Sequence, residues 1–310
     1  MMNEVYHIPA MLNETIESLR IRPNGIYVDV TFGGGGHSGE IYRCLGKGGC
    51  LYSFDRDIEA YANANGLAGE AEFRFVHSDY RYLGQWMDFY GVRQIDGLLA
   101  DLGVSFHHFD TAERGFSFRF DGPLDMRMNR QGGRTAADVV NTYTEEEIAR
   151  VLYMYGELKQ SRQLARRIVQ ARSRGAITGT GDLAEAVMGR RMLPDEMNPA
   201  QKKELTLVFQ ALRIEVNDES GSLREMLEAS LKLLRAGGRL VVLTYHSLED
   251  RLVKNFMRSG RLDGVIEKDF YGNALTPFRV IEKGLTASKA EVERNPRSRS
   301  AKLRAAEKTE

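Results

Sequence analysis

The chain has 310 residues, of which 42% are hydrophobic and 28% charged, with 43 basic residues balancing 43 acidic ones. This is enough for one large core or two smaller ones, and a net charge of zero excludes attraction of a partner through global charge. There is no apolar run of transmembrane length, and the opening MMNEVYHIPAML lacks the layout of a secretory leader. Cys44 and Cys50, too few for a disulfide framework and not spaced as CxxC, fit a reducing cytoplasm, where the protein is expected with no membrane partner.

In chain order, the first hundred residues alternate. GIYVDVTFG (25–33) reads as a buried strand and GHSGEIYRCLG as the helix after it. CLYSFDRD (50–57) is a second strand, followed by the helical IEAYANANGLA. FRFVHSDY (73–80) is a third, followed by YLGQWMDFYG, and IDGLLADLGVS (95–105) is a fourth. Four repeats of strand and helix predict a parallel sheet covered on both faces by right-handed crossovers. From about Phe106 to Asn217 the pattern is helical, with Thr144 and Glu147 spaced as a capping box.

Alternation resumes with LREMLEASLKLLRAGG as a helix, RLVVLTYHS (239–247) as a strand and LEDRLVKNFMRSG as a helix. Two late strands are expected, around FRVIEKG and AKLRAAEK, and the basic tail NPRSRSAKLRAAEKTE is read as half ordered. The fold class is therefore α/β, a doubly wound Rossmann-like sheet with an inserted all-helical domain. The expected division is 1–108, 109–217 and 218–310.

Strand, glycine loop, helix places a ligand against backbone N–H groups and a positive helix end. Gly34, Gly36 and Gly39 satisfy G-x-G-x-x-G, and Asp55 lies 19 residues beyond Gly36, placed to receive ribose hydroxyls. A nicotinamide dinucleotide and S-adenosylmethionine both fit that pattern. Tyr155 and Lys159 give a Tyr-x-x-x-Lys spacing that suits a dehydrogenase, but it falls in the helical block, far from the strand ends. Asp101 closes the fourth strand, which should flank the topological switch point with the first. A carboxylate there suits a sulfonium donor, and Phe32 and Tyr80 could add cation–π attraction of about 0.5–2 kcal/mol.

Local charge is more telling than global charge. Between Leu158 and Gly181 lie Lys159, Arg162, Arg166, Arg167, Arg172 and Arg174, with no acidic residue. On a helix Lys159, Arg162 and Arg166 share one face, while Leu164, Ile168 and the neighbouring Val169 supply an apolar one, which makes the basic face either a solvated surface or a phosphate rail.

Longer stretches occur in order: HIPAML, DVTFGGGGHS, FDRD, DLGVS, ERGFSFRFDGPLDMRMN, FQALRIEVNDE, RAGGRL, YHSLEDRLVKNFM and NPRSRSAKLRAAE. Together they resemble the RsmH/MraW family of S-adenosylmethionine-dependent methyltransferases, which act on the exocyclic N(4) of a 16S ribosomal RNA cytidine. The resemblance implies a helical domain inserted after the fourth strand and donor contacts from Gly33, Gly35, Gly36 and His37. It also implies Asp55 on the ribose, Tyr80 beside the adenine and Asp101 beside the methionyl or adenine end. The family continues DLGVSSxQLD where this chain has DLGVSFHHFD, so Phe106 replaces a serine and His108 takes the place of a donor-site glutamine.

The chemistry requires acceptors that align a conjugated cytosine amine with the methyl–sulfur bond. The Asp101 carboxylate or a backbone carbonyl of DLGVS is the expected acceptor, with His246, at the end of the fifth major strand, as a candidate for the proton; a histidine capping the following helix is the other reading. The base must be unstacked. Lys159, Arg162, Arg166 and Arg167 are expected to face the RNA, with Phe116, Phe118 or Phe120 available for stacking or for packing. The partner would be 16S ribosomal RNA within the small subunit, the cofactor S-adenosylmethionine with no metal, and a homodimer is left open. A dinucleotide-dependent oxidoreductase and a non-catalytic RNA-binding protein on the same fold are the alternatives.

Overall fold

The protein is described by a computed structural model over residues 9–67, 69–103 and 109–309. The strands β1 (Ile26–Asp29), β2 (Cys50–Asp55), β3 (Glu72–His77), β4 (Ile95–Asp101) and β5 (Leu234–Thr244) run parallel. A two-stranded hairpin, β6 (Glu267–Lys268) and β7 (Ala274–Leu275), stands apart from them. β8 (Phe278–Thr286) and β9 (Lys302–Lys308) complete the main sheet by antiparallel pairing, in the order β3-β2-β1-β4-β5-β9-β8. β1 lies between β2 and β4, so the switch point falls where the glycine loop begins.

Apolar runs form these strands because both faces of the sheet are covered. Val28, Leu98, Ala100, Leu240 and Val242 pack to one side with Leu223, Met226 and Phe256. Tyr27, Leu99, Val241 and Leu243 pack to the other with Leu19, Ile41 and Tyr42. The period of two along each strand divides a continuous hydrophobic run between two cores.

Several boundaries differ from the sequence reading. β1 ends at Asp29 because its carboxylate accepts the Thr31 N–H and turns the chain. β5 begins at Leu234, where it pairs with Ile95 before the register shifts at Gly97. Residues 58–66, rich in alanine, asparagine and glycine, form a 3-10 helix capped by Asp57 rather than an α-helix. The tail expected to be half ordered supplies β9, an interior strand whose Leu303, Ala305 and Ala306 are fully buried.

The chain divides into two compact units, Met1–Gly103 with Ser220–Glu310, and Val104–Glu219. The second unit contains helices Ala136–Thr142, Glu145–Gly156, Ser161–Arg172, Thr180–Met188 and Pro199–Asn217. Thr144 and Glu147 form the reciprocal capping box read from the sequence. Ile148, Leu152, Leu164, Ile168, Leu183 and Leu212 are wholly buried in its core, each contributing roughly 1.5–3 kcal/mol of hydrophobic stabilisation.

The segment ERGFSFRFDGPLDMRMN folds into this unit. Arg114, 2% exposed, donates to the carbonyls of Arg127 and Met128. A Cβ on Gly115 would lie 2.2 Å from the Pro123 carbonyl, so only glycine fits there, also because φ is +72°.

Candidate active site

The glycine loop follows β1 and opens the helix Gly36–Cys44. Gly33 and Gly35 have φ of +51° and +76°, a region that other residues enter only with strain. Two glycines are also required by packing: a Cβ on Gly35 would press on the Phe32 ring at 3.0 Å, and one on Gly36 on the Pro9 ring at 2.9 Å. The helix has no side-chain cap and no acidic residue in its first turn, so its leading N–H groups keep their affinity for an anion.

Beneath the loop is a buried polar chain. Asp29, 1% exposed, accepts from Ser38 Oγ at 2.7 Å and from both the N–H and hydroxyl of Thr31. Ser38 spends its one hydrogen on Asp29, so Ser53, 2.7 Å away, must donate to Ser38. Thr31 Oγ1 in turn accepts the Asp101 N–H at 2.7 Å, which ties the ends of β1 and β4 together. Burial pushes the Asp29 carboxyl above its usual range, opposed by its bonds to Ser38 and Thr31 and by the nearby His37.

Asp101 stands above this chain, 14% exposed. Its Oδ1 accepts the Gly103 N–H at 3.3 Å, and its Oδ2 lies 3.7 Å from His37 Nδ1. His37 Nε2 is 3.1 Å from the Ala10 carbonyl, which can only accept, so Nε2 carries a hydrogen. Tyr245, just past the end of β5, brings the tip of its ring beside the Asp101 carboxylate: a Cβ on Gly103 would lie 3.0 Å from Tyr245 Cζ and 3.2 Å from Asp101 Oδ1.

Asp55, at the end of β2, accepts the Gly33 N–H at 2.8 Å and the Asp57 N–H at 2.8 Å, so it braces the glycine loop. Tyr80 follows β3, and the Arg56 guanidinium lies over its ring, 5.4 Å from the centroid, while pairing with Asp79 at 2.9 Å. The carboxyl edge of the sheet therefore gathers the glycines, His37, Asp55 and Asp101 around the switch point.

A model of the MraW methylase family matches residues 4–309. The chain belongs to that family. It is 57% identical to ribosomal RNA small subunit methyltransferase H of Parabacteroides distasonis, over 98% of this chain and 97% of that protein. It is 54% identical to the protein of the same name in Bacteroides thetaiotaomicron, with the same two coverages. Among solved structures, an rRNA methylase from Streptococcus thermophilus aligns with a TM-score of 0.42 at 12% identity, covering 98% of this chain and 99% of its own. By its membership of that family the protein is a methyltransferase.

The remaining candidates of this methylase divide by location. His246 is the residue preceding the helix Ser247–Ser259, but its ring does not cap that helix; Nε2 faces Glu249 Oε1 at 3.0 Å. The side chain that reaches Asp101 from this segment is that of Tyr245. His108 and Phe106 lie outside the described residues.

In the helical unit, Lys159, Arg162 and Arg166 are exposed and line a groove of about 870 Å³ together with Arg150, Tyr153 and Glu145. Arg167 turns away and donates to the Val187 carbonyl at 2.8 Å, as a helix-to-helix tie. Phe116 and Phe118 pack edge-on against Phe109 and Phe209, which leaves Phe120 as the exposed ring of the three.

Sequence reasoning missed Asp29 and Tyr245. Asp29 was visible as a carboxylate closing the first strand, but its burial depends on Ser38 and Ser53 folding over it.

Proposed function

We propose that this methylase transfers a methyl group from S-adenosylmethionine to the exocyclic N(4) of a cytidine in the decoding region of 16S ribosomal RNA, presented within the small ribosomal subunit in the cytoplasm. The observation that carries the reading is the Asp101 carboxylate, held at the end of β4 beside the glycine loop of β1. The site's chemistry fits the donor: an uncapped helix N-terminus for its carboxylate, acidic side chains for its cationic and ribose portions, and glycines between them.

Gly33, Gly35, Gly36 and His37 would hold the methionyl part, Asp55 the ribose, and Tyr80 the adenine, with His108 as a further contact. When bound, the donor supplies an electrophilic methyl group on a sulfonium. Asp101 accepts hydrogen bonds from the cytosine amine, which turns its lone pair out of conjugation and along the line of attack. As positive charge develops on the nitrogen, the same carboxylate stabilises it and is placed to accept a proton at an Oδ atom. His246, beside Glu249, is the alternative site for that proton. The groove bearing Lys159, Arg162 and Arg166 is the RNA-facing surface in this reading, where cations meet phosphates and Tyr153, 62% exposed, offers a ring to an unstacked base.

Calorimetric titration of the purified protein with S-adenosylmethionine and with NAD, repeated on Asp101→Ala, tests the reading. Binding of the sulfonium donor alone, weakened in the variant, is expected, followed by methylation of small subunits at a cytidine N(4). Binding of NAD instead, or methylation at another atom, would overturn it.

A further inference from the structure

We propose that Tyr245 is the positioning residue for Asp101: its ring is seated against Gly103, and its hydroxyl fixes the carboxylate in the orientation that receives the target amine. The inference rests on the reading of Asp101 given above.

The register of the sheet sets up the contact. Asp101 pairs with Leu243, and Tyr245 lies two residues further on, carried to the same side by the period of the strand. The ring then passes close to the backbone of the next strand's exit. A Cβ on residue 103 would lie 2.9 Å from Tyr245 Cε2 and 3.0 Å from Cζ, so glycine at 103 is what admits the ring. The Tyr245 backbone is fixed as well, since its N–H donates to Glu249 Oε2 at 3.2 Å.

The proposed bond has a defined direction. Burial raises the phenol well above its ordinary range, reinforced by the negative charge of Asp101 and then of Glu249 and Glu291. Tyr245 therefore remains a neutral hydroxyl, with a hydrogen to give to the neighbouring carboxylate. The Gly103 N–H bonds Oδ1, and His37 stands beside Oδ2. A carboxylate offers about four acceptor directions, so the Gly103 N–H and the Tyr245 hydroxyl orient Asp101 and leave it the capacity to accept an amine N–H. Among the groups around Asp101, the Tyr245 hydroxyl can be removed with little change in shape.

The test is a double-mutant cycle on the full chain with small ribosomal subunits as substrate and saturating labelled S-adenosylmethionine. Single-turnover rates, KM for the subunit and donor Kd are measured for the wild type, Tyr245→Phe, Asp101→Asn and the double variant. Tyr245→Phe should lower the rate about 10- to 100-fold, as for loss of a hydrogen bond to a charged group, with KM and donor Kd within about twofold. The double variant should be no slower than Asp101→Asn, because the hydroxyl acts through the carboxylate. Gly103→Ala, which displaces the ring but keeps the hydroxyl, should lower the rate in the same way and covers the case in which Tyr245→Phe does not fold.

A wild-type rate in Tyr245→Phe, losses that multiply in the double variant, or a change confined to KM or Kd would overturn the inference while leaving Asp101 in place. A wild-type rate in Asp101→Asn would instead overturn the reading of Asp101 itself.

Discussion

Gly35 shows how much a single residue can constrain this site. Its φ of +76° and the Phe32 ring 3.0 Å from where a Cβ would stand give alanine two separate penalties. Gly35→Ala should lower stability by about 1–2 kcal/mol, read from urea unfolding, and should weaken donor binding more than a distant variant of equal stability loss. Four glycines in a row announced a special backbone, but their reasons were not visible. Gly35 serves a ring three residues earlier, and Gly36 serves Pro9, which lies far back in the chain. Asp101 was legible because it closes an apolar run before a glycine turn. Tyr245 was not, because its contact depends on β4 pairing with a strand that begins at Leu234. No local spacing could reveal a register across so long an interval.

At the scale of elements, the segment HSLEDR is explained by packing. Asp250, in the first turn of the helix Ser247–Ser259, binds Arg304 of β9 through two bonds, at 2.7 and 3.1 Å, with Lys302 at 3.5 Å. Burial alone would raise the Asp250 carboxyl, but Arg304 outweighs it and holds the group below the usual carboxylate range. A lowered native value means that this contribution to stability is present above the ordinary carboxyl range and is lost as pH falls through the native value. Asp250→Asn should flatten the acid side of the stability–pH curve, and Asp250→Ala should cost about 3 kcal/mol by leaving the buried Arg304 without its carboxylate, both measurable by thermal unfolding.

A smaller effect is expected at Thr144, where alanine removes a cap worth about 1 kcal/mol from helix Glu145–Gly156. That cap was legible, since both partners lie within four residues. The 3-10 character of residues 58–66 was not, because the apolar spacing there suits either helix and the weak helix formers decide it.

For the molecule as a whole, neutral composition conceals an uneven surface. Lys159, Arg162 and Arg166 lie exposed on one groove, while Arg167, adjacent in sequence, is committed to Val187. Replacing both Arg162 and Arg166 with glutamate should weaken binding to a 16S RNA fragment and reduce its dependence on salt, with donor affinity unchanged. Arg167→Ala should instead lower stability and leave the salt slope alone. Fluorescence anisotropy across a salt series, paired with thermal unfolding, separates the two. The alternation that defines the sheet and the block that interrupts it were both readable from hydrophobic period. The late strands were readable as strands, but not their order, because β9 enters between β5 and β8 and no pattern within a strand encodes its neighbours.

That strand order bears on how the protein is made. The ribosome completes β4 at residue 101, but its partner β5 does not begin until residue 234. In the interval the nascent sheet has an open edge on β4, while the intervening residues can already collapse around their own core. The sheet closes only when β9, the last of its strands to emerge, slots into an interior position. Growth from one end of the chain thus leaves the sheet-bearing unit unfinished until residues 302–308 appear, and a premature stop near residue 300 would remove the interior strand on which closure depends.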